Sequence, residues 1–191
     1  MKGAISSYTQ QLYELFVRAL NDSDNEVLSN AAFAVGLLVE YSEVDLSGQY
    51  LQLLGALRPL FNVPPKAPAA RLNAKDNATG AVARLIIRNS SALPLDQVLP
   101  IFIDSLPLKH DYLENRPVFR ALFELFKTNG AVLYPFMDRL LAVFAHVLDP
   151  SLPDQVGDEI RKELISLIDL INREEPARIQ AAGLSVFLPG A

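Results

Sequence analysis

Amide and carboxylate side chains recur where helices are expected to open. Asn30 stands in the first such place, Asp76 and Asn77 in the second, and Asp111, Glu114 and Asn115 in the third. An asparagine amide can donate to a backbone carbonyl and accept from a backbone N–H. Both suit an extended strand of any sequence. The neighbouring carboxylates can take the ammonium of a lysine. Chemistry on covalent bonds is a poorer fit. His110 lies beside Asp111, but no nucleophile accompanies the pair, and G-x-S-x-G, a Gly-rich phosphate loop and H-E-x-x-H are all missing from the sequence. With no cysteine there is no disulfide framework and no thiolate metal site. The expectation is a binding protein that uses no metal and no cofactor, not an enzyme.

Composition narrows the partners. The 191 residues carry 22 acidic and 17 basic side chains, a net charge of −5. Net repulsion argues against a dedicated nucleic-acid binder and leaves room for basic partners. The sequence has no uninterrupted apolar run of membrane-spanning length, so no membrane partner is expected. The N-terminal "MKGAISSYTQQ" lacks an apolar signal core. The N-x-S/T triplets at Asn21, Asn77 and Asn89 therefore read as accidental. Half of the residues are hydrophobic, enough for one domain or an elongated stack.

The elements that must position these residues are helices. Apolar residues recur at helical spacing along the chain, and strand signals are nearly absent. Helices are predicted over Tyr8–Leu20, Glu26–Val39, Gln49–Phe61, Asn73–Asn89, Leu95–Leu106, Asp111–Lys127, Val132–Leu148, Gln155–Asn172 and Pro176–Phe187. Asp22 or Asp24 can cap the second helix. The proline-rich "NVPPKAPAAR" separates the third from the fourth. The helices fall into pairs. Aligning the second helix of each pair puts Asn30, Asn77, Asn115 and Glu163 at one position, with separations of 47, 38 and 48 residues. That is the period of HEAT repeats, which are antiparallel helix pairs. The fold class expected is all-α: a HEAT-repeat solenoid of about four pairs, 5–43, 47–90, 95–128 and 130–173, plus a short terminal helix at 175–188, all within a single domain, 1–191. Asn30, Asn77 and Asn115 would then stand in a row.

The segment "KDNATGAVARLI" has an odd composition. It accepts Gly80, which costs a helix about 1 kcal/mol relative to Ala. Packing is the simplest account, since Ala31, Ala34 and Gly36 in one helix and Ala78, Gly80 and Ala81 in another let backbones approach. Arg84, Arg116 and Arg120 suit pairing with carboxylates along the repeats. Other polar residues have structural readings too. Asp111-x-x-Glu114 has the spacing of a capping box, and Asn115 ahead of Pro117 could be an N-cap.

"SNAAFAVGLL", "DNATGAVARLI", "LPLKHDYLENRPVFRALFEL" and "VLYPFMDRLLAVFAHVL" together resemble the C-terminal part of the importin-beta (karyopherin) family. Within it they are most similar to the importin-four type, nuclear import receptors for histones and ribosomal proteins. The resemblance implies a receptor that shuttles between cytoplasm and nucleus. Its second helices would line a concave cargo face. By motif match it implies cargo-lysine contact at Asn77 and Glu114, and further at Asn30, Phe33 and Asn115, with Asp76 and Asp111 beside them. Phe33 would be the apolar wall for a lysine stem. The implied partners are basic cargo proteins, namely core histones with a lysine-rich tail and ribosomal proteins, together with a histone chaperone. Ran would be bound only by N-terminal repeats that have no counterpart in this sequence. The rival readings are a HEAT scaffold for a folded partner and a HEAT-like DNA glycosylase. The latter would want a basic cleft and stacking aromatics, but the chain is acidic and has no Trp.

Overall fold

The computed structural model describes residues 5–64 and 66–188, so Pro65 of the proline-rich loop and the residues at both ends lie outside the description. Among the described residues there is no strand, and the architecture is all-α, of the HEAT-repeat kind. Two compact units, 1–121 and 122–191, are taken in turn.

The first unit holds α1 (Thr9–Ala19), α2 (Asn25–Tyr41), α3 (Tyr50–Phe61), α4 (Ala69–Asn89), α5 (Leu95–Asp104) and the first turns of α6 (Asn115–Asn129). Helix α2 starts where Asp24 accepts from the backbone N–H groups of Glu26 and Val27, at 2.8 and 3.4 Å. Cross-links between distant residues set the directions of the helices. Thr9 Oγ1 lies 2.8 Å from Ser42 Oγ, so α1 begins where α2 ends. Arg71 Nη2 donates to the Pro59 carbonyl at 2.7 Å, and Asn89 Nδ2 to Ser47 Oγ at 3.0 Å, so α3 and α4 are antiparallel too. Tyr13 donates to Gln52 at 2.6 Å, joining the first helices of the two pairs.

The second helices, α2 and α4, run parallel. Ser29 faces Asn77, Glu40 faces Arg84, and the Ser42 carbonyl accepts from Arg88. Their backbones come close, since a Cβ built on Gly36 would be 3.1 Å from Ala81 Cα. Helix α4 is accordingly buried along most of its length from Ala74 to Ile86, on more than one face. Such a helix needs small residues where neighbours crowd it, and Ala78, Ala81 and Ala83 are at most 1% exposed.

The second unit contains the rest of α6, a 3-10 segment Gly130–Phe136, then α7 (Met137–Leu148), α8 (Gly157–Glu174), α9 (Pro176–Ala181) and a last 3-10 turn, Leu184–Phe187. Leu140, Leu141, Phe144, Leu164, Ile168, Ile179 and Leu184 are at most 1% exposed and form its core. Pro176 opens α9, where a missing N–H costs nothing. Gly183, at φ 72°, lets the chain turn off after it. Arg178 fastens α9 by pairing with Asp138 (3.2 Å) and Glu175 (3.0 Å), and it sits 5.1 Å over the Tyr134 ring.

Several helix starts differ from the sequence expectation. Helix α4 begins at Ala69, four residues before Asn73, because Ala69-Ala70-Arg71 are good helix formers and Pro68 stands just outside as the cap. Helix α6 begins at Asn115, since Tyr112–Glu114 is a 3-10 turn. Helix α7 begins at Met137, because Pro135 cannot supply the N–H that an α-turn would use there. The helical stretch Tyr112–Leu148, 37 residues, is long and apolar enough by length and composition to cross a membrane, although charged and polar residues interrupt it in the sequence. Its apolar side chains have another use, since Phe119, Leu122, Leu125, Leu133 and Phe144 are at most 1% exposed within the fold.

Candidate functional site

Asp76 lies in the third turn of α4 and is 4% exposed. Its Oδ2 accepts from three consecutive backbone N–H groups, Lys109 (3.0 Å), His110 (2.7 Å) and Asp111 (3.0 Å). One carboxylate oxygen thus satisfies the start of the segment leading to α6. Asp111 in turn accepts from the Leu113 N–H at 3.2 Å and caps the 3-10 turn. These bonds pin residues 109–113 to α4 without an apolar side chain, since charge-assisted bonds of this kind are among the stronger ones.

The pinned turn delivers Glu114 to α4, where it is 1% exposed. Arg84 grips its carboxylate with both terminal nitrogens: Nη1 donates to Oε2, and Nη2 to Oε1 at 3.1 Å. Arg84 Nε donates to Glu40 of α2 at 2.8 Å, and the guanidinium carbon stands 5.9 Å from the centre of the Phe33 ring. One arginine therefore ties α2, α4 and the turn before α6. The trough in which it lies is made by glycines. Cβ atoms added at Gly36 or Gly80 would stand 3.2 Å from Arg84 Cδ and 3.0 Å from Arg84 Nη1, respectively. At Gly80 the added Cβ would also be 2.5 Å from Glu114 Cδ and would overlap its Oε2. Burial pushes the Glu114 carboxyl above its ordinary range, although Arg84 pulls it down.

The seven residues singled out in sequence do not share one environment. Asp76, Asn77, Glu114 and Asn115 are buried, Asp111 and Asn30 are respectively half-buried and exposed, and Phe33 is 37% exposed. An open row of Asn30, Asn77 and Asn115 is thus not what forms. Asn77 is 5% exposed and turned toward α2, where Nδ2 donates to the Ser29 carbonyl (3.1 Å) and hydroxyl (3.0 Å). Close packing of α2 on α4 closes the space that the row would have needed. Asn77 Oδ1 is buried with no hydrogen-bond partner among the described residues. The capping-box reading is corrected in half: Asp111 caps, but the carboxylate of Glu114 belongs to Arg84. Gly80 does serve packing, though the group that fills its space is Glu114 rather than a second helix. Arg84 pairs with carboxylates as its type suggested, whereas nothing local marked Glu40 as its partner. Among the described residues no group of three or more His, Cys, Asp or Glu could hold a metal ion.

No family model matches the chain. Among curated relatives, it is 43% identical over 168 residues to the probable importin subunit beta-4 of Schizosaccharomyces pombe. It is 26% identical over 179 residues to Importin-4 of Homo sapiens and 25% identical over 171 residues to that of Mus musculus. These matches take in 88%, 94% and 90% of this chain, and 15%, 16% and 15% of the relatives' lengths.

Proposed function

Since the chain belongs with the importin-4-type karyopherins across most of its length, we propose that it is a cargo-holding segment of a nuclear import receptor, one that takes extended lysine-rich stretches of histones or ribosomal proteins. The observation that carries this reading is the similarity over 88–94% of the chain to proteins named as importins. The receptor would shuttle between cytoplasm and nucleus and would catalyse no reaction.

Burial supports a division of labour among the candidate residues. Asn30, Phe33 and Asp111 are accessible and would touch cargo, with Glu40, 41% exposed, as a carboxylate beside them. Asp76, Asn77, Glu114 and Asn115 are enclosed and would position that surface. An exposed ion pair contributes about 0.2–1 kcal/mol, and micromolar binding needs about 8 kcal/mol. Cargo would therefore be held by several lysines and backbone contacts together, not by one pocket.

The test is fluorescence anisotropy with a labelled lysine-rich tail peptide and the same peptide acetylated at its lysines. Acetylation removes charge and ammonium donors. The unmodified peptide should bind tighter and lose affinity with salt, and Asn30→Ala should weaken it. Equal titrations for the two peptides would overturn the reading, and capture only of folded partners would favour a scaffold instead.

A further inference from the structure

Between α3 and α5 the first unit has a hollow of about 470 Å³, within the range of roughly 300–1,000 Å³ that small-molecule sites occupy. Its buried side is apolar: Val82 of α4 and Val98 and Phe102 of α5 are at most 8% exposed. Leu51 and Ile101, 67% and 40% exposed, line it nearer the solvent. Gly55 widens it from within α3. A glycine inside a helix is destabilising. At Gly36 and Gly80 the chain's own atoms use the space so gained, but a Cβ on Gly55 would meet nothing within 4 Å. Packing within the chain therefore does not account for this glycine.

The polar side chains that line the hollow are Arg58 and Gln97, and no carboxylate does. Arg58 is exposed and makes no ion pair or side-chain hydrogen bond among the described residues, in a chain with 22 acidic side chains against 17 basic ones. Its place in the last turn of α3 suits the helix dipole, which explains a cation but not an apolar hollow beside it. We propose that the hollow binds a small amphiphile with one carboxylate, of the class of medium-chain fatty acids, with its apolar tail in the space at Gly55 and its carboxylate against Arg58. An arginine fork matches a carboxylate. An uncharged apolar side chain from a partner protein would fill the same space but leave Arg58 without a use. This site is independent of the function proposed above.

The test is a methyl NMR titration of the whole chain with octanoate and with octanamide, which has the same tail and no charge. Octanoate should move the methyl resonances of Leu54, Val82 and Val98 to saturation. Octanamide should bind about fivefold more weakly, the worth of one exposed ion pair. Arg58→Gln should weaken octanoate by the same factor and leave octanamide unchanged. Gly55→Leu should abolish binding of both while the Tm holds or rises, since a Cβ there meets nothing within 4 Å and leucine is the better helix former. Leu113, 83% exposed and outside the hollow, is the control for adsorption to any apolar surface. Methyls of the hollow that stay still, or that move no more than those of Leu113, overturn the proposal. So does a Gly55→Leu variant that binds octanoate as wild type does. Octanamide binding as tightly as octanoate, or Arg58→Gln without effect, also overturns it and points to an uncharged apolar occupant such as a partner's side chain. Should Gly55→Leu not fold, the octanamide comparison and Arg58→Gln, a change at an exposed position, still decide.

Discussion

The carboxylate of Glu114 occupies the space where residue 80 would carry a side chain, so Gly80 and Glu114 are complementary across 34 positions of sequence: a Cβ on Gly80 would lie 2.5 Å from Glu114 Cδ. Gly80→Ala should therefore destabilise the chain although alanine is the better helix former by about 1 kcal/mol. The glutamate can swing aside, but Arg84 then loses its buried partner, and breaking such a pair costs about 3–5 kcal/mol. The net loss expected in chemical denaturation is about 2–4 kcal/mol. In a Glu114→Ala background the same substitution should become neutral or mildly stabilising. Additive effects in that double-mutant cycle would contradict the complementarity.

Asn77→Ala is expected to act on stability. The variant loses two buried bonds to Ser29 and should unfold about 1–3 kcal/mol more easily. Molecules that remain folded should bind a lysine-rich peptide as wild type does. A normal melt with weakened binding would restore Asn77 as a cargo contact.

Asp76→Ala strips the acceptor from three amides at once. Hydrogen exchange at Lys109, His110 and Asp111 should speed up markedly. Global stability should fall by about 1–3 kcal/mol. Unchanged exchange at these three positions would show that the segment is held by its apolar neighbours Leu106 and Leu108, both at most 2% exposed.

Glu114 gives stability a pH dependence of definite sign. Burial raises its carboxyl above the ordinary range. The folded chain then binds this proton more readily than the unfolded chain. The group's favourable contribution is complete below the ordinary glutamate value, about 4.3, and is lost as pH rises through the higher folded-state value. The stability of wild type relative to Glu114→Gln should thus improve as pH falls from neutrality toward that range. A flat difference, or one that worsens on acidification, would mean that Arg84 outweighs burial.

What the sequence determined by itself was the architecture and the kinship. Helical spacing, Asp24 as a cap and the proline-rich break after the third helix act within a few residues, so they are legible locally, whereas the predicted helices ran through Pro135 and Gly183, where the chain in fact changes course. The repeat period is also a property of one dimension, and it paired the helices. The allotment of polar side chains to surface or interior was not legible. Asn77 finds Ser29 across 48 positions, Arg84 finds Glu114 across 30, and Asp76 collects its amides across 33 to 35. Asn30 and Asn77 share a repeat position, yet one is exposed and the other is buried against α2. An asparagine on a helix face has the same local context whether water or a neighbouring helix lies in front of it. Which of the two it meets depends on how closely the helices pack, and here Gly36 against Ala81 sets that distance. Only the tertiary structure could decide it, because burial is a property of the partner brought across the gap and not of the residue that waits there.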